Sequence, residues 1–267
     1  MVKLSISKAW DEARGIIARD GGLLMTIALA LFVLPGVIAE LATPAAPAGE
    51  FPPFGYWTIL MVVALLIALV GQLAVIRLGT GSRATVGEAI GDGARRAPAY
   101  LAASLLWLLP FLLIGAALLG IVAREPENPS APAVIGLLLL VCVMLYFAMR
   151  MLMTSAVASA ESANPLAIVR RSWDLTSGHW LRLLGFFLMF LFAAVVVVAA
   201  VGAIVGIVAE VALGGTEPMT VGALLVALVT QIVSAAVSVL LMLMIARIYV
   251  QLAGESAAEA SVPHSGT

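Results

Sequence analysis

The chain has 267 residues, 63% of them hydrophobic and 11% charged, with fifteen acids against fourteen Lys or Arg. Its mean hydropathy is +1.14, whereas a soluble domain carries about 25% charged residues, so a fully water-coated surface is excluded. Near-neutral charge gives no bulk basic signal for nucleic acid. A single cysteine, Cys142, inside an apolar run excludes an internal disulfide and a Cys/His metal set.

The first twenty residues place Ile6, Trp10, Ala13 and Ile17 at i, i+4, i+7 and i+11, among Lys8, Asp11, Glu12 and Arg14. That spacing predicts a helix with one apolar face. The run 22–42 follows and is long enough to cross a hydrocarbon core of about 30 Å. Asp11, Glu12 and Asp20 precede it, unlike the short basic start of a secretory leader. It therefore reads as a span, although Ala39-Glu40-Leu41-Ala42 imitates a cleavage site.

Further apolar runs cover 56–76, 101–122, 133–153, 183–209 and 221–246. Amides in lipid must bond within their own segment, and the period-two pattern of a barrel is absent, so all six runs are expected to be helices. Before the third span, Val86, Ile90, Gly93 and Ala97 repeat the first spacing beside Glu88, Asp92, Arg95 and Arg96, and Thr85 with Glu88 fits a capping box. Before the fifth, Asn164-Pro165 caps a segment carrying Leu166, Val169 and Trp173. Arg77, Arg150 and Arg247 close the second, fourth and sixth spans.

The expected fold is therefore all-α and integral to a membrane: six transmembrane helices in three parallel two-helix repeats, each preceded by a cytoplasmic amphipathic helix. The repeats fall near 1–80, 81–160 and 161–255, within one membrane domain at 1–255, and 256–267 reads as a disordered cytoplasmic tail. Lys3, Lys8, Arg14 and Arg19 precede the first span; Arg77, Arg83, Arg95 and Arg96 lie between the second and third. Arg150, Arg170, Arg171 and Arg182 lie between the fourth and fifth, and Arg247 ends the sixth. Only Arg124 falls in an opposite loop, among Glu40, Glu50, Glu125, Glu127, Glu210 and Glu217. Cations collect inside, which puts both termini in the cytoplasm and Phe51, Phe54, Tyr56 and Trp57 in an outer aromatic belt. The alanine-rich composition suggests a GC-rich bacterial source.

The segment Glu161, Asn164-Pro165, Arg170-Arg171-Ser172-Trp173, Leu175, Gly178 and Trp180 resembles the membrane domain of glycerophosphoryl diester phosphodiesterases and of related stand-alone bacterial inner-membrane proteins. The residue match covers some twenty positions, and the six-span layout extends it along the chain. That family's soluble barrel takes about 250 residues, and about a dozen follow Gly254. The resemblance thus implies shared membrane architecture, not phosphodiesterase activity. Read physically, Arg170 and Arg171 are placed to reach headgroup phosphates, Trp173 and Trp180 to sit at the interface, and Gly178 to turn the chain into the fifth span.

Catalytic templates do not assemble. His179 and His264 are the only histidines, in the interfacial motif and in the tail, and Gly79-Thr80-Gly81 lacks the strand a phosphate loop needs. No enzyme, cofactor or metal is expected. Thr230, Gln231, Ser234 and Ser238 share a face of the sixth span, readable as a polar path or as a hydrogen-bonded packing seam. Gly202 and Gly206, with Ala116 and Gly120, read as close-packing pairs, and Pro35 and Pro110 read as kinks; Arg124, Glu40 and Glu210 read as hydrated at the outer surface, the alternative being an ion pair of Arg124 with one of the two acids. The expected function is that of a non-enzymatic inner-membrane protein acting through lipids, or through a protein partner at the cytoplasmic face. The alternative is a small-solute or lipid transporter with its pathway along the sixth span.

Overall fold

The computed structural model describes residues 4–44, 52–81, 84–124, 130–161, 164–214 and 220–260. Lys3, Glu50, Phe51, Arg83, Glu125, Glu127, Glu217, His264 and the stretch 261–267 lie outside them. All regular structure among the described residues is helical, and six helical stretches are long and apolar enough to cross a membrane. The chain is a multi-pass membrane protein.

Helix α1 spans Ile6–Ala28, with the Ser5 hydroxyl accepting the Lys8 amide at 3.3 Å and Ala9, Ala13 and Ile16 buried on one side. It breaks at Asp20, whose φ of −114° and ψ of 17° leave the helical region. A single π-helical turn, Leu29–Val33, then leads into α2, Leu34–Ala42. The cause is Pro35: its ring would collide with the carbonyl four residues back, and a widened turn removes that clash. The expected kink at Pro35 thus takes the form of a π bulge, with the Leu34 amide bonded to the Leu29 carbonyl.

Helix α3 covers Tyr56–Gly79 and α4 covers Val86–Val122. Thr85 and Glu88 form the expected capping box. Yet α4 runs unbroken through both Pro98 and Pro110, so the segment expected ahead of the third span and the span itself are one rod. At 1.5 Å per residue that rod is about 55 Å long, more than a bilayer core. Helix α5, Ala131–Arg150, ends three residues before the expected 153. A turn at Met151–Met153 redirects the chain into α6, Thr154–Ala160, which the sequence did not suggest. Its small side chains pack between α3, α4 and α7, and its Thr154 and Ser159 hydroxyls donate to the Met151 and Ala156 carbonyls.

Helix α7, Pro165–Leu175, buries Ile168, Ser172 and Leu175 and is capped by the Asn164 side chain on the Leu166 amide. Gly178, with φ of +79°, turns the chain into α8, Trp180–Leu213. That positive φ favours glycine over any residue with a Cβ. Helix α9, Val221–Ala260, continues past 255, so the first five residues of the expected disordered tail are helical.

The core lies where α1, α3, α6 and α9 meet, around Ile27, Leu73, Ile76, Met153, Leu243, Met244 and Ile248, all essentially inaccessible. Glycines set two of the close approaches: a Cβ at Gly79 of α3 would lie 2.7 Å from Ala246 Cβ of α9, and one at Gly93 of α4 would lie 2.7 Å from the Val70 carbonyl of α3. The expected small-residue pairs do less. Gly202 only borders Thr230, and a Cβ at Gly206 or Gly120 would meet nothing within 4 Å. In the most apolar stretches of α4 and α8, no residue is buried.

Candidate functional site

Polar chemistry gathers at the end of the bundle that holds Arg77, Arg150 and Arg247. The Arg247 Nε donates to Glu12 Oε2 at 2.6 Å, and its Nη1 reaches the Gly79 carbonyl at 3.4 Å. Arg77 faces Asp92 at 3.9 Å. Arg96 donates to the Ala158 carbonyl, and the Gln251 amide bonds both the N–H and the C=O of Ser5. Two open clefts lie among these groups. One, of about 840 Å³, is lined by Arg19 and Arg247 with Glu12 and Asp20. The other, of about 620 Å³, is lined by Arg77 and Arg95 with Glu88 and Asp92. The Thr85 N–H and hydroxyl, both donating to the Glu88 carboxylate, hold it below the usual carboxylate range.

Arg150 is the most enclosed of the three, with 6% of its surface exposed. Its guanidinium carbon sits 4.1 Å above the Trp173 ring, and Nη2 donates to Ser177 at 3.0 Å. Its carbonyl accepts from Ser172 and Thr176, while Nε has no partner among the described residues. The charge therefore rests on a ring face and on the C-terminal turn of α7, the negative end of that helix's dipole. Tyr146 packs edge-on against both Trp173 and Trp180, joining α5 to the start of α8.

This geometry revises the roles expected of the interfacial motif. Arg170 is exposed. Arg171 is bound to Glu161 at 3.1 Å, and Glu161 also accepts from the Tyr249 hydroxyl at 2.6 Å, so Glu161 ties α7 to α9. Trp173 is half-buried under Arg150, Trp180 meets Tyr146 edge-on, and Gly178 makes the turn.

The four polar residues of the sixth span divide. Thr230 borders Gly202 of α8. Gln231, Ser234 and Ser238 line a recess of about 320 Å³ whose other walls include Phe32 and Gly36 of the first span and Ala64 and Ala68 of α3. The Gln231 amide donates to Glu40 at 3.0 Å. Glu40 pairs with Gln231, and Arg124 forms no ion pair with Glu40 or Glu210 among the described residues, so the alternative of an outer ion pair is not seen. Gln72 bonds the Tyr100 hydroxyl at 3.4 Å, a packing contact between α3 and α4.

Sequence reasoning missed Glu12, Asp92, Glu161, Tyr249 and Gln251 as cross-helix partners, and Gly36 and Phe32 as walls of the recess. A signal existed for the acids: each sits in a segment preceding a span whose neighbour ends in arginine. None existed for Gly36. A family model described as "Domain of unknown function (DUF7847)" matches residues 4–252. No curated protein and no solved structure matches the chain.

Proposed function

The chain belongs to the DUF7847 family, and on that premise we propose that it is a non-enzymatic protein of a bacterial inner membrane that acts through lipids or a cytoplasmic protein partner, as a scaffold, regulator or envelope-homeostasis factor. The carrying observation is the arginine-rich end, where two open clefts each pair two arginines with two acids. Such a balanced lining suits a zwitterionic headgroup or a charged protein segment better than a bare anion. We place this end in the cytoplasm, supported by the distribution of Lys and Arg along the sequence.

The same end supports the threefold reading. Arg77, ending the second span, meets Asp92 ahead of the third. Arg150, ending the fourth, meets Trp173 and Ser177 ahead of the fifth. Arg247, near the end of the sixth, returns to Glu12 ahead of the first. Each unit thereby holds the amphipathic segment of the next, and the third closes on the first. The likeness to the phosphodiesterase membrane domain is kept as a proposal about architecture only, resting on the motif from Glu161 to Trp180.

A solute pathway is the second reading, and the recess lined by Gln231, Ser234 and Ser238 favours it. Mass analysis of the protein extracted in mild detergent, together with flux into proteoliposomes, separates the two. Retained phospholipid or a stable partner without flux supports the first. Saturable flux lost in Gln231→Leu promotes the second. Reporter fusions placing the 81–94 connection outside the cell would overturn the orientation.

A further inference from the structure

We propose that the recess between the first span, α3 and α9 is a binding site for a protonated amine, entered from the end where Glu40 lies. This goes beyond the solute-pathway reading, because it needs the recess but no transport. One wall is apolar, with Phe32, Ala64 and Ala68; the other carries Gln231, Ser234 and Ser238. Its volume of about 320 Å³ lies at the small end of the range for ligand sites. Fully buried Ile27, Leu73 and Leu243 close the bundle toward the arginine-rich end.

The serines are unusual for hydroxyls within an apolar helix. Thr26 and Thr43 spend their hydroxyls on the carbonyls four residues back, Gly22 and Ala39. Ser234 and Ser238 form no hydrogen bond among the described residues, so both hydroxyls stay available to an occupant.

Glu40 supplies the charge. It lies one helical turn beyond Gly36 on the same stripe of α2, and its carboxylate accepts from Gln231 Nε2 at 3.0 Å. No Lys or Arg faces it among the described residues. It also occupies the last turn of α2, where the helix dipole disfavours an anion and a bound cation would offset both charges. Gly36 makes the arrangement possible, since a Cβ there would lie 2.6 Å from Gln231 Oε1 and push the amide out of line. An ammonium group fits this set: it replaces Gln231 as donor to Glu40, uses the freed amide carbonyl and the serine hydroxyls, and lays a slim apolar body along Phe32 and the alanines. A carboxylate is repelled, and an alcohol forgoes the ion pair. The amine comes either as a free small solute or as the headgroup of an aminophospholipid.

The test uses the full chain in nonionic detergent and native mass spectrometry with three probes of one length, hexylammonium, hexanol and hexanoate. A one-to-one hexylammonium adduct is expected, at least tenfold weaker in Glu40→Gln and in Ala64→Phe, with neither other probe retained. Ser234→Ala, a milder change, is expected to weaken it about threefold. Equal hexylammonium retention by wild type and Glu40→Gln, with unchanged melting, overturns the site, as does equal retention of all three probes. In nanodiscs, a phosphatidylethanolamine adduct lost in Glu40→Gln assigns the amine to lipid; hexylammonium binding without such an adduct assigns it to a free solute. Binding without hexylammonium flux keeps this site and removes the transport reading. Flux indifferent to Glu40 removes the site and keeps that reading.

Discussion

The two ends of the bundle are built on different terms. At the arginine-rich end, side-chain bonds cross between elements repeatedly: Arg247 to Glu12, Arg171 to Glu161, Tyr249 to Glu161, Arg96 to the α6 backbone and Gln251 to Ser5. Toward the opposite end, the cross-helix polar contact among the described residues is Gln231 to Glu40, and α5 and α8 turn rows of Leu, Val and Ile outward. Lipid tails are as apolar as leucine, so burying those rows against protein gains little. Helices there are held by shape and by the end that water reaches. Stability should therefore be sensitive to change at the arginine-rich end and indifferent along the outward-facing rows of α8.

The sharpest way to break that contrast is a pair of glycine substitutions. Gly93→Leu must displace the Val70 carbonyl, which is backbone and cannot yield. It is expected to cost about 3 kcal/mol through forced separation of α3 and α4. Gly206→Leu meets nothing within 4 Å and should change stability by about 0.5 kcal/mol or less. Thermal unfolding in detergent, read side by side, decides it; equal losses would show that α8 packs on something beyond this chain.

Next in size is the closing contact. Arg247→Ala leaves Glu12 half-sheltered with only Lys8, 3.9 Å away, as a cation. The expected loss is about 2 kcal/mol, as for a hydrogen bond between charged groups. A double-mutant cycle with Glu12→Gln should recover about 1 kcal/mol of coupling; zero coupling would dissolve the link between α9 and α1.

Arg150 sharpens the comparison differently, because its charge is buried without a carboxylate. Arg150→Lys loses the flat stack on Trp173 and is expected to cost about 1 kcal/mol. Arg150→Met loses the same stack but also removes a buried charge, so it should melt above the lysine variant. The reverse order would place a further anion beside Arg150.

The same contrast explains what the sequence could and could not tell. Span count follows from composition, and the arginines of the second, fourth and sixth spans from charge placement, because hydropathy and the position of cations are local quantities. The helical break was foreseeable at Pro35 but its form was not, since only the neighbouring turns decide between a kink and a π bulge. The short helix α6 was hidden because Thr-Ser-Ala-Val-Ala-Ser-Ala has no apolar face: it is buried on all sides by its smallness, a property of its neighbours. The glycine motifs misled for a related reason. Gly202 and Gly206 have the spacing of a packing pair, whereas Gly36, Gly79 and Gly93 make the tight approaches, and of these only Gly93 stood out, as a member of an apolar face. For the recess, the polar stripe of α9 was visible, but its division between Thr230 and the other three depends on which helix stands opposite.

The smallest expected effect tests whether capping at the arginine-rich end is felt by the whole bundle. Glu88 accepts from the Thr85 N–H at 2.8 Å and from its hydroxyl at 2.9 Å, and these bonds lower its pKa from the ordinary value of 4.5. A carboxyl whose folded-state pKa is depressed adds stability that is fully present above its unfolded pKa. That stability is lost as pH falls through the folded value. Wild type should therefore lose melting temperature between pH 5 and lower values by a small margin that Glu88→Gln does not show, while the two coincide in slope near neutrality. Because Glu88 is solvent-exposed and screened, the margin should shrink further in high salt. A Glu88→Gln profile parallel to wild type across the acid range would mean that the start of α4 is fixed by Gly93 against α3 and not by its cap.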